Sequence, residues 1–332
     1  MSTTVFPVTI ETQYVNNTEL FRRLLKIQAL PISSEGIRKH VSFQELPKAV
    51  TFELKAEKPM NLSISPFDLA LMDAIYTLMV ACTDVVTPAQ IYQTMSGDPD
   101  QRVSAAMQDK ISTHLDVLSG LSIQIDAGKQ FSEYKRLKEK SAVFSGPFLP
   151  AEKVDGRHIN RTACTAYRIT EIPPIYQYAA ALRQIVSIPA EWFNTKDYFN
   201  DTEDAVVIKR YVLKRIKLIL SNNQLCSRRI ALEHDRCNFN YDAAGGLYSE
   251  LEFRPDDSTR WRKKTKPSIL RVVTGTLDHL VDLEVIDAYQ PYRAGKTASR
   301  NVPVIGFEIS IYIRDIARRN QYFNRRNWRY RT

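Results

Sequence analysis

Apolar residues recur at helical spacing in two separate stretches of this chain, and each stretch closes on residues that alternate like a strand. The first run is SPFDLALMDAIYTLMVAC, residues 65–82. Ser65 is placed to cap it, Pro66 suits the first helical position, and Asp68 sits where a capping-box acid belongs. Phe67, Leu71, Ile75 and Leu78 then follow at helical spacing and predict one buried face. TPAQIYQTMSG repeats the logic: Thr87 caps, Pro88 leads and Gly97 stops a short helix. A third helix is predicted after Asp98-Pro99, running through Met107, Ile111, Leu115 and Leu118. LSIQID (121–126) alternates as a strand does, a charged stretch fills 129–140, and strand-like runs cover 142–148 and 165–172. Helix, short helix, helix, hairpin is the order of a winged helix-turn-helix. Residues 1–60 are mixed, with an apolar-basic segment at 20–30 and a β-like stretch at 49–54, and read as an extension packed on the first domain.

The second half repeats this order. A connecting helix over 175–186 ends near Pro189. Asn200, Asp201 or Thr202 caps a long helix that turns Ile208, Val212, Ile216 and Ile219 inward and holds Arg210, Lys214 and Lys217 on its other side. After an irregular stretch containing Gly245-Gly246, Pro267 opens the helix KPSILRVVTGTLDHLVDL. Its spacing directs Ile269, Val273, Leu277 and Leu280 to the core and Ser268, Arg271, Thr274 and Asp278 outward. VIDAYQ, the loop RAGKTASRN and VPVIGFEISIYI then predict a long hairpin. One detail supports the repeat: Leu115-Asp116-x-Leu118-x-x-Leu121-x-Ile123 recurs as Leu277-Asp278-x-Leu280-x-x-Leu283-x-Val285, at a constant offset of 162. Both copies fall where a third helix should hand over to the first wing strand.

The predicted fold class is therefore α+β, mainly α: two winged helix-turn-helix domains in tandem, with an N-terminal extension and a basic C-terminal tail. The expected boundaries are 1–60 for the extension, 61–173 for the first domain, 174–203 for the connecting helix and linker, 204–313 for the second domain and 314–332 for the tail. A length of 332 residues suits two domains, and 44% apolar with 25% charged residues is the composition of a globular chain. Cys82, Cys164, Cys226 and Cys237 form no CxxC pair and no zinc spacing, so they read as free thiols in a reducing cytosol. The N-terminus lacks the basic and apolar regions of a signal peptide, and no run of ~20 apolar residues occurs, so a cytoplasmic protein is expected.

Charge sharpens the picture because it is local. Residues 258–271 hold six basic side chains, Arg260, Arg262, Lys263, Lys264, Lys266 and Arg271, and no acid. The tail 314–332 holds seven arginines against Asp315 alone. These runs carry +12 between them, against +9 for the whole chain, which leaves the rest slightly acidic. A segregated positive surface suits a polyanion, because each neutralised phosphate releases condensed counterions. A merely solvated surface is the competing reading of any single run.

No enzymatic motif competes with this. Ala294-Gly295-Lys296-Thr297 looks like the end of a phosphate-binding loop, yet the required earlier glycine is Gln290 and a strand follows instead of a helix. The segment reads as a wing tip in which Arg293, Lys296 and Arg300 can reach phosphates or a minor groove. His40, His114, His158, His234 and His279 form no HxH or HExxH cluster, and no GxSxG elbow or zinc-deaminase pattern occurs. The chain is expected to be no enzyme and to need no cofactor or metal. The basic run instead precedes the predicted recognition helix, whose first residues would enter a major groove while flanking cations grip the backbone. Trp261 reads as a packing anchor there. In the tail, Arg318, Arg319, Arg325 and Arg326 interleave with Tyr322, Phe323, Trp328 and Tyr330. They could stack on single-stranded bases or lie along a duplex, and the aromatics could equally dock the tail on its own domain.

The layout resembles the tandem winged-helix replication initiators of plasmids and mobile elements. The resemblance is carried by SPFDLALMDAIYTLM with TPAQIYQTM, and by IKRYVLKRIKLI with KPSILRVVTGTLDHL, across roughly residues 60–315. It implies a non-enzymatic protein that binds repeated duplex sites at a replication origin through its C-terminal winged helix. Its N-terminal winged helix would serve homodimerisation and secondary contacts, and host replication proteins would be further partners. Carried onto this chain, the base-reading candidates are Lys266, Ser268, Arg271 and Thr274; Lys214, on the preceding helix, is a further cation counted with the DNA-binding set. The first domain's third helix offers only Arg102 and Lys110 among Asp98, Asp100 and Asp109, which suits interaction more than base reading. The alternatives are a transcriptional regulator on the same fold and a protein-interaction scaffold with solvated basic runs.

Overall fold

The computed structural model describes residues 3–25, 30–32, 34–43, 46–81, 83–132, 142–158, 163–221, 228–233, 246–253, 255, 258–293 and 303–311. The chain mixes helices with several small sheets and divides into two units, 1–191 and 192–332. The segment expected to link two domains is thereby split, its first part belonging to the first unit. Cys82, Cys226, Cys237, Lys296, Arg300, Arg318, Arg319, Arg325 and Arg326 lie outside the described residues. Among the described residues no helix is long and apolar enough to cross a membrane.

The first unit begins with β1 (Thr3–Val5), β2 (Thr12–Asn16), α1 (Glu19–Leu24), β3 (Leu30–Ile32), β4 (Ile37–Phe43), β5 (Leu46–Ala56) and β6 (Met60–Leu62). Then come α2 (Pro66–Val80), β7 (Val85–Val86), α3 (Pro88–Ser96) and α4 (Ala105–Ser119). It ends with β8 (Leu121–Asp126), α5 (Gly128–Phe131), β9 (Val143–Pro147), β10 (Ala151–His158), β11 (Ala163–Ile169), α6 (Pro174–Leu182) and β12 (Ile185–Pro189).

Local chemistry sets the helix starts. The Ser65 hydroxyl accepts from the Asp68 N–H at 3.2 Å while Asp68 takes the Ser65 N–H at 2.7 Å, closing the capping box of α2. Thr87 and Gln90 do the same for α3, and Gly97 ends it at φ 78°, a left-handed conformation that glycine adopts without strain. The third helix begins later than predicted: Ser104 caps it, its hydroxyl accepting from the Met107 N–H at 3.3 Å, while Asp98 and Pro99 precede it in a turn. Buried Asp73 accepts from the Asn16 N–H at 2.9 Å and the Tyr176 hydroxyl at 2.6 Å through one oxygen. That single carboxylate pins β2 and α6 onto α2. Tyr176 also stacks on Tyr76 with centroids 4.5 Å apart.

Two sheets dominate this unit. β4, β5, β8 and β9 pair in that order, and β1, β10, β11 and β7 form the other. Residues 1–60 thus supply strands to both: β1 runs parallel to β10, and β5 is an inner strand against β8. Two expectations are corrected here. LSIQID is not a wing strand: β8 alternates buried and exposed as predicted, but it pairs with β5 and β9, and the hairpin after α4 is β10–β11. The predicted helix over 175–186 stops at Leu182, and residues 185–189 form β12 against β2.

The second unit contains α7 (Glu203–Ser221), β13 (Arg229–Ala231), α8 (Gly246–Glu250), a π-helical turn (Trp261–Thr265), α9 (Lys266–Asp282), β14 (Ala288–Arg293) and β15 (Val304–Ser310). Thr202 caps α7, its hydroxyl accepting from the Ala205 N–H at 3.2 Å. β14 and β15 form the hairpin, and β13 pairs with β15. The first unit shows the same connectivity, since β7, between α2 and α3, pairs with β11.

α7 corrects a third expectation. Its second side is not a solvated basic face, because Lys209, Arg210, Lys214, Arg215 and Lys217 are all buried. Each long stem fits a core only if its charged end finds polar partners or its charge is suppressed. The Lys209 ammonium, 0% exposed, donates to the Phe193 carbonyl at 2.7 Å and to Asp201 at 2.8 Å. Lys214 pairs with Glu250 at 3.5 Å. Lys217 lies 5.8 Å from the Trp192 ring centroid, and burial holds its pKa down at about 8.

The folded value for Lys217 lies below its ordinary 10.5, so stability tied to it is present above about 10.5 and lost as pH falls through about 8. Lys217→Met keeps the stem and removes the buried ammonium. It should raise unfolding free energy at pH 7 by ~1–3 kcal/mol, with the gain shrinking towards pH 10.5. Thermal denaturation across this pH range checks it, and a gain independent of pH contradicts it.

Candidate nucleic-acid interface

The basic run of the second unit is helical, and it starts earlier than the sequence suggests. The Trp261 N–H donates to the Ser258 hydroxyl at 3.0 Å and the Arg262 N–H to the Ser258 carbonyl at 3.1 Å, so Ser258 acts as the cap. Thr259 and Arg260 are already helical. Pro267 therefore does not open the helix; it lies within it, just past the wide turn at 261–265. In that turn the Lys266 N–H reaches back five residues to the Trp261 carbonyl. Trp261 is buried and meets the Tyr248 ring edge-on at 5.2 Å, which makes it the anchor of this turn.

The outward side of this helix gathers most of the described candidates. Arg260, Arg262, Lys263, Lys264, Ser268 and Arg271 are exposed, while Ile269, Val273, Leu277 and Leu280 are buried. Three candidates need correction. Lys214 cannot face a ligand, because it is buried on α7 and paired with Glu250. Lys266 turns towards Glu233, 3.6 Å away, and is partly buried. Thr274 turns its hydroxyl back to its own helix, donating to the Leu270 carbonyl at 3.0 Å. Arg293 lies at the end of β14, partly buried, beside a register shift in the hairpin.

A loop and the hairpin hold α9 in place. Gly275 lies mid-helix where a Cβ would stand 2.8 Å from the Phe199 ring, so only glycine allows this close approach. Phe199 belongs to the loop that Lys209 fixes through Phe193, Thr195 and Asp201. On the other side, the Tyr289 hydroxyl of β14 donates to Asp278 of α9 at 2.7 Å. Beside the hairpin, the Arg229 guanidinium of β13 sits 4.7 Å from the Tyr292 ring centroid, and a Cβ on Gly306 would meet that same ring at 2.5 Å.

The Tyr289–Asp278 bond gives the repeated Leu-Asp pair a physical meaning. In the first unit the equivalent Asp116 of α4 accepts from the Tyr167 hydroxyl of β11 at 2.9 Å. Burial and the neighbouring aspartate raise both phenols, Tyr167 to about 12. The tyrosines were not found from sequence, because they stand on different hairpin strands; the repeated aspartate was the available signal. The outward side of α4 is otherwise different, exposing Asp109, Lys110, Thr113 and Asp116, with Lys153 3.3 Å from Asp116.

Among the described residues no group of three or more His, Cys, Asp or Glu side chains is placed to hold a metal ion. Cys164, half-buried on β11, has its thiol pKa raised by burial.

No protein-family model matches the chain, and no curated protein matches it. Among solved structures it is similar to a crystal structure of a selenomethionine derivative of domains 2 and 3 of RctB, with 14% identity and a TM-score of 0.39, over 88% of this chain and 98% of that one. A second crystal structure of the same RctB domains gives 12% identity and a TM-score of 0.40, over 89% and 98%. Likenesses this loose leave fold and function to be argued from the chain itself.

Tyr289→Phe should cost ~0.5–1.5 kcal/mol of stability, and a double-mutant cycle with Asp278→Ala should show a coupling of similar size. Because the Tyr289 phenol is raised above its ordinary 10, this contribution should persist to about pH 10 and be lost at higher pH. Denaturant unfolding of the four proteins checks it; zero coupling would show that the bond does not tie hairpin to helix.

Proposed function

We propose that this chain is a sequence-specific duplex-DNA-binding protein of the replication-initiator kind, built from two winged helix-turn-helix units and acting without a catalytic centre or cofactor. The observation that carries the reading is the exposed cation set Arg260, Arg262, Lys263, Lys264 and Arg271 on the outward side of one helix, with a hairpin fixed beside it. Two further points support it. Each unit has a helix, a short strand, two helices and a hairpin in that order, with β8, α5 and β9 inserted before the hairpin in the first unit, and in each the short strand pairs with the hairpin's second strand. The exposed cations also stand at the start of the third helix, where a helix-turn-helix makes its groove and backbone contacts.

In this reading α9 enters the major groove. Arg271 and Ser268 read base edges, and Arg260, Arg262, Lys263 and Lys264 grip phosphates. The first unit takes protein contacts, including a second copy or host replication proteins, because the outward residues of α4 mix acid with base and give phosphate little attraction. The targets would be repeated duplex sites at the origin of a plasmid or mobile element.

A salt titration of duplex binding tests the reading: log affinity should fall steeply and linearly with log salt concentration. Arg271→Ala should lose ~1–3 kcal/mol of preference for a selected duplex over a random one, whereas Arg262→Ala should weaken both about equally. Affinity insensitive to salt, or no duplex binding, would favour a protein scaffold and overturn the proposal.

A further inference from the structure

We infer that the π turn fixed by Pro267 is a phasing device, which sets Lys263 in line with Arg271 and so makes Lys263 the phosphate contact that positions the reading helix. The inference rests on the DNA-binding reading above and adds to it a specific residue and a reason for the unusual turn.

The argument is angular. An α-helix advances about 100° per residue, so Trp261, eight residues before Ile269, would stand about 80° away from it on a regular helix. Both side chains are nevertheless buried, and Trp261 is seated against Tyr248. The wide turn resolves the conflict. A π turn absorbs one extra residue, which removes about 100° and brings Trp261 to within about 20° of Ile269. Lys263 has the same spacing to Arg271, eight residues, and because it stands two residues into the turn it receives about three fifths of the correction, about 60°. With the turn, Lys263 lies within about 20° of Arg271; on a regular helix Lys264 would take that place and Lys263 would lie about 80° away. Lys263, Pro267 and Arg271 are all exposed, as one outward row requires.

Pro267 supplies the cause. It has no N–H to offer the Lys263 carbonyl four residues earlier, and its ring crowds that carbonyl. The Lys266 N–H bonds instead to the Trp261 carbonyl, which is the π hydrogen bond. The anchor and the proline thus act from the two ends of the turn: Trp261 fixes its rotation against the core, and Pro267 prevents its return to α geometry. The chain tolerates the irregular turn on its outer side because Arg262, Lys263 and Lys264 are exposed to water.

The test compares two exposed neighbours, Lys263 and Lys264. The probe is the duplex that the full-length protein enriches from a random-sequence library. Lys263→Ala should weaken binding to it about five- to tenfold and lower the salt slope by about one, and Lys264→Ala, which also removes a cation of the phosphate-facing set, should weaken it by a smaller factor, about two- to threefold. A second variant, deletion of Thr265 together with Pro267→Ala, restores a regular helix in the same register. It should keep the affinity within about threefold and keep Lys263 the more sensitive of the two. Equal losses for the two lysines, or a larger loss at Lys264, would overturn the phasing inference while leaving DNA binding intact. A wild-type protein that enriches no duplex would overturn the DNA-binding reading and the inference with it.

Discussion

The pairing of one short strand with the last strand of a hairpin is the constraint on which each unit depends. A two-stranded ribbon alone is marginal in water, and it would set no fixed angle to neighbouring helices. In the first unit Val85 and Val86 pair with Arg168 and Tyr167, and in the second Arg229–Ala231 pair with residues 306–308. Because β7 lies between α2 and α3 and β13 between α7 and α8, the pairing makes each hairpin part of the helical core. The tyrosine-to-aspartate bond then fixes the hairpin against α4 in the first unit and α9 in the second, and the Arg229–Tyr292 contact ties the second hairpin to β13.

Much of this was legible in the sequence wherever the determining chemistry is local. Ser65 with Asp68 and Thr87 with Gln90 mark helix starts because a cap and its partner are three residues apart. The faces of α9 follow from its period alone, from Ile269 to Leu280 inside and Ser268, Arg271 and Asp278 outside. What failed was non-local. The alternation of LSIQID shows a half-buried strand, but its partners come from β5 and β9, and nothing in a six-residue pattern names them. Proline at a helix start and proline after a π turn look alike in sequence; only the cap at Ser258 and the need to bury Trp261 with Ile269 distinguish them here.

Charge was the least transparent quantity, because a count weighs buried and exposed cations alike. The basic side chains of α7 share its length with apolar residues at helical spacing, and their burial is decided by Asp201, Glu250 and backbone carbonyls elsewhere in the chain. Lys266 likewise meets Glu233. A cation neutralised inside a fold adds almost nothing to the field at the surface, whereas the exposed Arg260, Lys263, Lys264 and Arg271 act through water on whatever approaches. The local run, and not the net +9, is therefore the physically relevant signal.

The two units also show why architecture alone assigns no partner. Both carry the same aspartate on the third helix and the same kind of tyrosine bond, so the internal logic that seats the helix is shared. Only the outward residues differ. On α4 these are Asp109, Lys110, Thr113 and Asp116, two acids against one base; on the segment running into α9 they are four cations followed by Arg271. Since the shared aspartate is tied to a hairpin in each unit, it cannot be what separates them. Any difference in what they bind must arise from side chains that the fold leaves free to vary, and a role argued for α9 does not pass to α4 by topology.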